Sequence, residues 1–198
     1  MKRKLIIALL ISSAWVIIQP ALSGQQSTQN MSISVIAGIH YSQVTGSESW
    51  TNRIGGQAGV MISLFRFGDN MTILGELQGS LQGAGWETTG YEGVTNLFYL
   101  NLPFTFRYNF RGGFYGEAGL QPGFLLSAKD KYDGMSEDYM DHMKRFDLGI
   151  PLGIGYDFNK RIGIGLRAVP GLTDITQDED EKDSNLVIAL RGYYTFGK

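Results

Sequence analysis

Six charged residues stand apart from the other ionisable residues, because each falls within a segment where apolar and polar residues alternate. They are Glu76, Arg107, Glu117, Asp147, Arg167 and Arg191. Three carboxylates and three guanidinium groups can form paired, hydrogen-bonded layers in a narrow interior, where an unpaired charge is costly. We expect this lumen charge network to be a static plug; a path for protons or a solute is the alternative.

Two histidines are the candidates for acid–base catalysis. His142 lies beside Asp138 and Asp141, and His40 lies near one end of the first alternating segment. Acid–base catalysis requires a carboxylate that orients the imidazole near a substrate site. Proximity within a long loop is weak support for such a site. We therefore predict no catalytic residue and no enzymatic activity, with a small outer-membrane barrel enzyme as an alternative.

Acidic clusters are the candidates for metal binding. The run Asp178-Glu179-Asp180-Glu181, with Asp183, has the carboxylates to bind divalent cations that bridge surface lipopolysaccharide. It lacks the ligand spacing of a calcium-binding loop, and so do Asp130, Asp133 and Glu137. We expect solvated acidic loop residues, with no metal and no cofactor.

The residues around these positions form about eight alternating segments. In the stretch 97–126, Phe98 to Tyr108 and Phe114 to Leu126 each place apolar residues at every second position, with a Gly-Gly break between them. Period two over such lengths is typical of β-strands, and the break predicts a hairpin. The other predicted strands cover residues 31–41, 56–64, 72–82, 145–158, 162–172 and 186–196.

Three features favour a membrane barrel over a soluble lipid carrier. Arms of about a dozen residues are roughly twice as long as the usual 5–6 residues of a globular strand and suit a tilted membrane-spanning strand. None of the predicted strands contains lysine. Short connections (66–71, 110–113, 159–161) alternate with long polar ones (43–54, 83–96, 127–144, 176–184). We predict an all-β, eight-stranded antiparallel up-and-down transmembrane barrel with short periplasmic turns and long extracellular loops.

Aromatic residues end each predicted strand at the rim of the short turns. Aromatic rings favour the headgroup layer of a membrane, so we predict a periplasmic aromatic girdle. Its members are Phe65, Phe67, Tyr108, Phe110, Tyr156, Phe158, Tyr194 and Phe196. Phe65 is out of phase with Leu64, which predicts a bulge there. Trp50 and Trp86 lie in long loops, where packing at the rim is favoured over contact with a partner or the outer leaflet.

Four prolines lie inside predicted strands, although a closed barrel has no edge that would accommodate them. They are Pro103, Pro122, Pro151 and Pro170. Because they fall at matching depths in two similar hairpins, we expect shared β-bulges.

The first residues form a separate region. A basic start, Lys2-Arg3-Lys4, precedes an apolar run of about a dozen residues, followed by an Ala-x-Ser pattern at Ala21–Ser23. This pattern predicts a signal peptide over residues 1–24, with a membrane-anchoring helix as the alternative, and a barrel domain over residues 25–198. The chain has no cysteine and a net charge of −2, so nothing indicates disulfides, lipid attachment or nucleic acid binding.

Several short motifs occur through the second half of the chain: Tyr99-Leu100-x-Leu102-Pro103, Gly119-x-x-x-Gly123 followed by Leu125 to Lys129, Gly171-Leu172-Thr173-Asp174-Ile175, and the ending Tyr193-Tyr194-x-Phe196. In these motifs the chain resembles the PorT-like outer-membrane β-barrel proteins of Bacteroidetes. It implies an outer-membrane barrel, and the family's namesake belongs to a protein-secretion system. We expect a monomer in contact with outer-membrane lipids and lipopolysaccharide. Its role is structural or mediated by its loops, with an accessory role in secretion and contact with secretion-system or surface proteins as the alternative.

Overall fold

A computed structural model describes residues 31–45, 50–88, 91–177 and 183–196. The predicted signal peptide and the acidic residues 178–181 lie outside these ranges. The described chain is almost entirely strand. Eight antiparallel strands form the wall: β1 (Ile33–Thr45), β2 (Arg53–Phe67), β3 (Met71–Thr88), β4 (Tyr91–Asn101 and Phe104–Asn109), β5 (Phe114–Tyr132), β6 (Phe146–Gly149 and Leu152–Asp157), β7 (Ile162–Pro170) and β8 (Ser184–Phe196).

The sheet closes on itself, because each strand pairs with the next along the chain and the last pairs with the first. The closing β1–β8 pair runs from Ile33 opposite Phe196 to Thr45 opposite Ser184. Closure leaves no exposed sheet edge, which is the requirement for a sheet inside a bilayer. The predicted eight-stranded barrel is confirmed.

The two faces of the wall follow the period-two pattern of the sequence. Phe104, Leu120 and Ile154 point outward with 50%, 53% and 67% of their surface exposed, whereas Arg107 and Glu117 point inward with 6% exposed. Apolar side chains therefore cover the outside and polar ones line the interior, as lipid on the outside demands.

The four strand prolines interrupt hydrogen bonding without a bulge, which corrects our expectation. Each proline carbonyl still accepts a hydrogen bond from the neighbouring strand, for example from the Glu76 amide to Pro103 at 2.8 Å and from the Gly119 amide to Pro151 at 3.0 Å. The register is the same on both sides of Pro103, with Gln78 opposite Asn101 and Gly75 opposite Phe104. Only the bond that the missing N–H would donate is lost.

Register shifts occur elsewhere. One lies between Ser63 and Phe65 in β2, where the phase of the sequence changes, as predicted. Another lies in β5 opposite Phe98 and Tyr99.

Much of two predicted long loops, 83–96 and 127–144, is strand. β3 and β4 stay paired from Gln78 opposite Asn101 up to Thr88 opposite Tyr91, and β5 continues to Tyr132 and pairs with a short strand, Met135–Asp138. These extensions carry few apolar residues, because they rise beyond the lipid, and so the alternation that predicts a strand is lost. Lys129 and Lys131, predicted in a loop, lie in the extension of β5.

The connections at the opposite rim are short. β2 and β3 are joined at residues 68–70, and β4 and β5 by a turn around Arg111–Gly113. Among the described residues, no helix is long and apolar enough to cross a membrane.

Candidate functional site

Five of the six predicted charges meet inside the barrel. Arg167 donates to Glu76 (Nη2 to Oε1, 2.8 Å) and to Glu117 (Nη2 to Oε1, 2.6 Å). Arg191 bridges the same two carboxylates, with Nη1 at 2.8 Å from Glu76 and Nη2 at 2.9 Å from Glu117. Arg107 reaches Glu117 at 3.0 Å. We call these five residues the ionic layer.

The side chains of the ionic layer are shielded from water. Arg167 and Arg191 are 1% exposed, and Glu76, Glu117 and Arg107 are 5–6% exposed. Ions buried to this degree lose most of their hydration, so their pairing and hydrogen bonds must replace it. With three cations and two anions, the ionic layer by itself has an excess of one positive charge.

A tyrosine connects the ionic layer to a further carboxylate that we did not assign to it. Arg107 donates to the Tyr193 hydroxyl at 3.0 Å, and this hydroxyl donates to Asp157. The Arg107 guanidinium also lies over the Tyr115 ring, 3.8 Å from its centroid, a cation–π contact. Asp157 therefore supplies the third negative charge and balances the three arginines.

Asp147 does not join the ionic layer, which corrects the predicted set. Its Oδ1 accepts a hydrogen bond from Thr173 at 2.7 Å, and its Oδ2 accepts one from Asn185 at 2.9 Å. Asn185 also donates to the Tyr99 hydroxyl at 3.3 Å. Asp147 and Asp157 both face inward on β6, but Asp147 lies towards the extracellular end and Asp157 towards the periplasmic end.

Gly153 gives the ionic layer its space. It is paired with Glu117 on one side and with Arg167 on the other. A Cβ atom at this position would lie 2.9 Å from Cγ and Oε1 of Glu117. The missing side chain lets Glu117 and Arg167 meet across the intervening strand.

An apolar cluster lies on the extracellular side of the ionic layer. Its wall residues are Val44, Ala84, Leu97, Tyr99, Leu125 and Ala128. Met143 and Ile175, which come from the long connections after β5 and β7, complete it with 6% and 0% exposed. Neither residue belongs to a segment in which apolar and polar residues alternate, so their burial could not be predicted from that pattern. We call Met143, Ile175 and the wall residues the apolar cap.

Hydrogen bonds between the two connections position the apolar cap. The Lys144 amide donates to Ile175 at 2.8 Å, and the Gln177 amide donates to His142 at 3.0 Å. Outside, the Lys144 ammonium pairs with Asp174 at 2.5 Å. This hydrogen bond from Lys144 lowers the pKa of Asp174 below its usual value.

The predicted girdle residues lie together at the short-turn rim, on the outer face. Tyr108 and Phe110 make an edge-on ring contact at 5.0 Å, as do Tyr156 and Phe158 at 5.3 Å and Tyr194 and Phe196 at 5.2 Å. Phe65 and Phe67 are both about half exposed. Contact with headgroups stays a prediction.

Each histidine ring contacts a group other than a carboxylate. The His142 ring stacks on Tyr139 at 4.7 Å, and Asp138 instead accepts a hydrogen bond from the Met140 amide at 2.9 Å. His40 is buried, with Nε2 at 2.9 Å from the Leu81 carbonyl oxygen. A carbonyl partner places a proton on Nε2.

Asp130, one of the acidic loop residues, is hydrogen-bonded within the wall. Asp130 accepts hydrogen bonds from Trp86 Nε1 at 2.9 Å and Thr95 Oγ1 at 3.0 Å. Within the described ranges, no group of three or more acidic, histidine or cysteine side chains is arranged to hold a metal ion.

Comparison with known proteins agrees with this architecture. A family described as "Outer membrane protein beta-barrel domain" matches residues 24–177, more than half of the chain. The chain belongs to this family. Members are barrels of the outer membrane, and this protein is located there too.

Solved structures of small outer-membrane barrels are similar to this chain. Neisserial surface protein A has a TM-score of 0.58 at 8% identity, over 83% of this chain and 97% of that one. The Ail protein of Yersinia pestis has a TM-score of 0.48 at 14% identity, covering 83% and 98%. OprG of Pseudomonas aeruginosa has a TM-score of 0.49 at 13% identity, covering 84% and 96%. No curated protein matches the sequence. At such low sequence identity, the similarity to Neisserial surface protein A indicates the fold alone.

Proposed function

We propose that this protein is a closed, non-catalytic barrel that holds β-hairpins at the cell surface, where they mediate its interactions. The observation that carries this proposal is the ionic layer. Its arginines and carboxylates bind each other at 2.6–3.0 Å with almost no exposure. Charges that select or conduct a solute keep contact with water, whereas each charge of the ionic layer is buried and contacts an opposite charge.

Two successive barriers support a closed lumen. The ionic layer is the first, and the apolar cap over it is the second. An eight-stranded barrel has an interior just wide enough for side chains to fill. A solute would have to separate the buried ion pairs and also displace Met143 and Ile175.

The hairpins beyond the lipid support a role at the surface. Phe98 and Phe124 lie outward, 40% and 43% exposed, at a level that suits the outer edge of the lipid. β3 and β4 continue as a paired ribbon past Phe98 to Thr88 and Tyr91. A rigid ribbon presents side chains in fixed positions, which suits recognition more than a mobile loop does. The expected contacts are lipopolysaccharide and surface proteins, made by a monomer.

Liposome swelling tests the closed barrel. Refolded protein is inserted into vesicles that are placed in isotonic arabinose, with an open porin as positive control and empty vesicles as blank. We expect the swelling rate to equal the blank. Swelling near the porin rate would contradict the proposal.

The resemblance to PorT-like proteins supports a second candidate, an accessory role in protein secretion. It rests on the sequence pattern around Leu102-Pro103 and Gly171 to Ile175. This role predicts that the protein co-purifies with other secretion proteins and that its deletion abolishes export. A barrel that acts alone predicts neither result.

Catalysis is tested at His142. Because its ring packs on Tyr139 and Asp138 accepts a hydrogen bond from the Met140 amide, we expect His142→Ala to leave folding and any envelope phenotype unchanged. Loss of a lipid- or peptide-modifying activity in a folded variant would assign the protein to the barrel enzymes.

A further inference from the structure

A cleft at the extracellular end lies apart from the ionic layer and the apolar cap. Its volume is about 670 Å³, within the range of roughly 300–1,000 Å³ that is usual for ligand sites. The extended parts of β3, β4 and β5, the turn after Tyr132 and the residues Thr51 to Arg53 form its walls. The cleft therefore belongs to the segments that rise beyond the lipid.

Two aromatic rings line this cleft with their polar ends already bonded. The Trp86 indole N–H donates to Asp130 at 2.9 Å, and the Tyr132 hydroxyl bonds to Glu137, which raises the pKa of Tyr132 above its usual value. The ring centroids lie 6.3 Å apart at an angle of 51°. Because the N–H and O–H groups are used within the protein, the rings offer the cleft mainly apolar surface.

The position of Trp86 is built into the wall. Gly93 is its cross-strand partner, and a Cβ atom there would lie 2.3 Å from Cζ2 of the indole. Asp130 is itself held by the Thr95 hydroxyl at 3.0 Å. The ring is thus fixed before any ligand arrives, which reduces the ordering cost of binding.

The remaining lining groups donate and accept hydrogen bonds in equal measure. Arg53 and Lys131 are donors, and Glu92 and Asp133 are acceptors. Arg53 is anchored by Nη1, which lies 3.1 Å from the Gln82 carbonyl oxygen. The lining side chains balance two cations against two anions, and Asp130 and Glu137 add negative charge beside the rings, so the cleft does not favour an anionic ligand.

We propose that this cleft is a binding site for a neutral saccharide. A sugar ring has a face of C–H groups that packs on an aromatic ring, and its hydroxyls both donate and accept hydrogen bonds. The fixed rings of Trp86 and Tyr132 match the first property, and the mixed lining groups match the second. The inference rests on the proposed surface role and names the class of ligand.

A glycan array tests the site. Full-length mature protein, refolded in a detergent without a sugar headgroup, is applied to immobilised neutral oligosaccharides, acidic glycans and core saccharides released from lipopolysaccharide. We expect retention on neutral saccharides, at least tenfold weaker for Trp86→Ala and partly restored for Trp86→Phe. Phe110→Ala, which removes an exposed ring at the opposite rim, is the matched control and should bind like the wild type.

The outcomes are distinct. Retention on neutral saccharides supports the site, whereas retention on lipopolysaccharide core alone counts against it, because phosphate and acidic sugars make that core anionic. No retention, retention on acidic glycans only, or equal retention by Trp86→Ala would overturn the proposal. Each variant is first checked for different mobility in unheated and boiled electrophoresis, so that a misfolded barrel is not scored. If liposomes swell while the glycan array shows the expected retention, the closed barrel is contradicted and the saccharide site is still supported.

Discussion

Arg167 donates two hydrogen bonds to the same oxygen of Glu117, from Nε at 2.9 Å and from Nη2 at 2.6 Å. The two residues lie on β7 and β5, which are not neighbours in the wall. Between them lies β6, whose Gly153 is paired with both. A contact across an intervening strand ties three strands together through the interior, and it explains why the barrel tolerates buried charge.

Removal of Glu117 should destabilise the barrel severely. Glu117→Ala leaves Arg167 and Arg191 to share Glu76 and leaves Arg107 with the Tyr193 hydroxyl alone, and breaking a buried ion pair from one side costs about 3–5 kcal/mol. The free energy of unfolding is measured by urea titration in lipid vesicles. Glu92→Ala, at an exposed carboxylate, is the control and should change it little. A loss below about 1 kcal/mol for Glu117→Ala would show that the pairs are not structural.

Tyr193→Phe should separate Arg107 from Asp157. The variant keeps the ring and removes only the hydroxyl that bonds to both, so we expect a loss of about 1–3 kcal/mol, the usual cost of an unsatisfied buried polar group. Tyr194→Phe is the matched control, because it also removes a tyrosine hydroxyl but the Tyr194 ring faces lipid. Equal stability of the two variants would mean that Asp157 does not contribute to the charge balance.

Gly153→Ala should disturb the ionic layer without a change of charge. The added Cβ would lie 2.9 Å from Glu117, and overpacking of this kind costs about 1–3 kcal/mol. Gly116→Ala, on the outer face of β5 with its nearest atom at 3.6 Å, is the comparison. If both alanines are equally neutral in urea titration, the space at Gly153 is not required.

Acid should loosen the apolar cap before it unfolds the barrel. Because the folded-state pKa of Asp174 is lowered by Lys144, the stabilisation is fully present above the unfolded pKa near 3.8 and is lost as pH falls through the lower folded value. The pair is exposed, so its contribution is below about 1 kcal/mol. The hydrogen-exchange rate of the Lys144 amide, measured in the wild type and in Asp174→Asn as pH is lowered, tests this effect. Exchange that does not change between neutral and acidic pH, after correction for its intrinsic rate, would contradict it.

Most of the wall was predictable from the sequence, because lipid on one side and a polar interior on the other impose a strict period of two. The pattern is lost where the strands leave the lipid, which is why residues 83–96 and 127–144 were expected to be loops although much of them is strand. The alternation also cannot predict that a connection folds inward, as Met143 and Ile175 do.

The partners within the interior were only partly predictable. The period of two places Asp147 and Asp157 on the same face of β6, but their depth depends on how neighbouring strands are staggered. Gly153, opposite Glu117, is the residue that fixes the level of the ionic layer. Asp157 lies four positions after Gly153, and Asp147 lies six positions before it. Tyr193 bridges the shorter distance, from the ionic layer to Asp157. The stagger comes from all eight strands together and has no local sequence signal.

Single-channel recording in a planar bilayer tests the closed interior most directly. The refolded wild-type protein is added in concentrated potassium chloride, and its insertion is verified by its resistance to protease. The ionic layer and the apolar cap predict a flat current across the accessible voltage range. Stepwise openings of reproducible size, from wild-type protein whose heat-dependent mobility shows a folded barrel, would contradict the account.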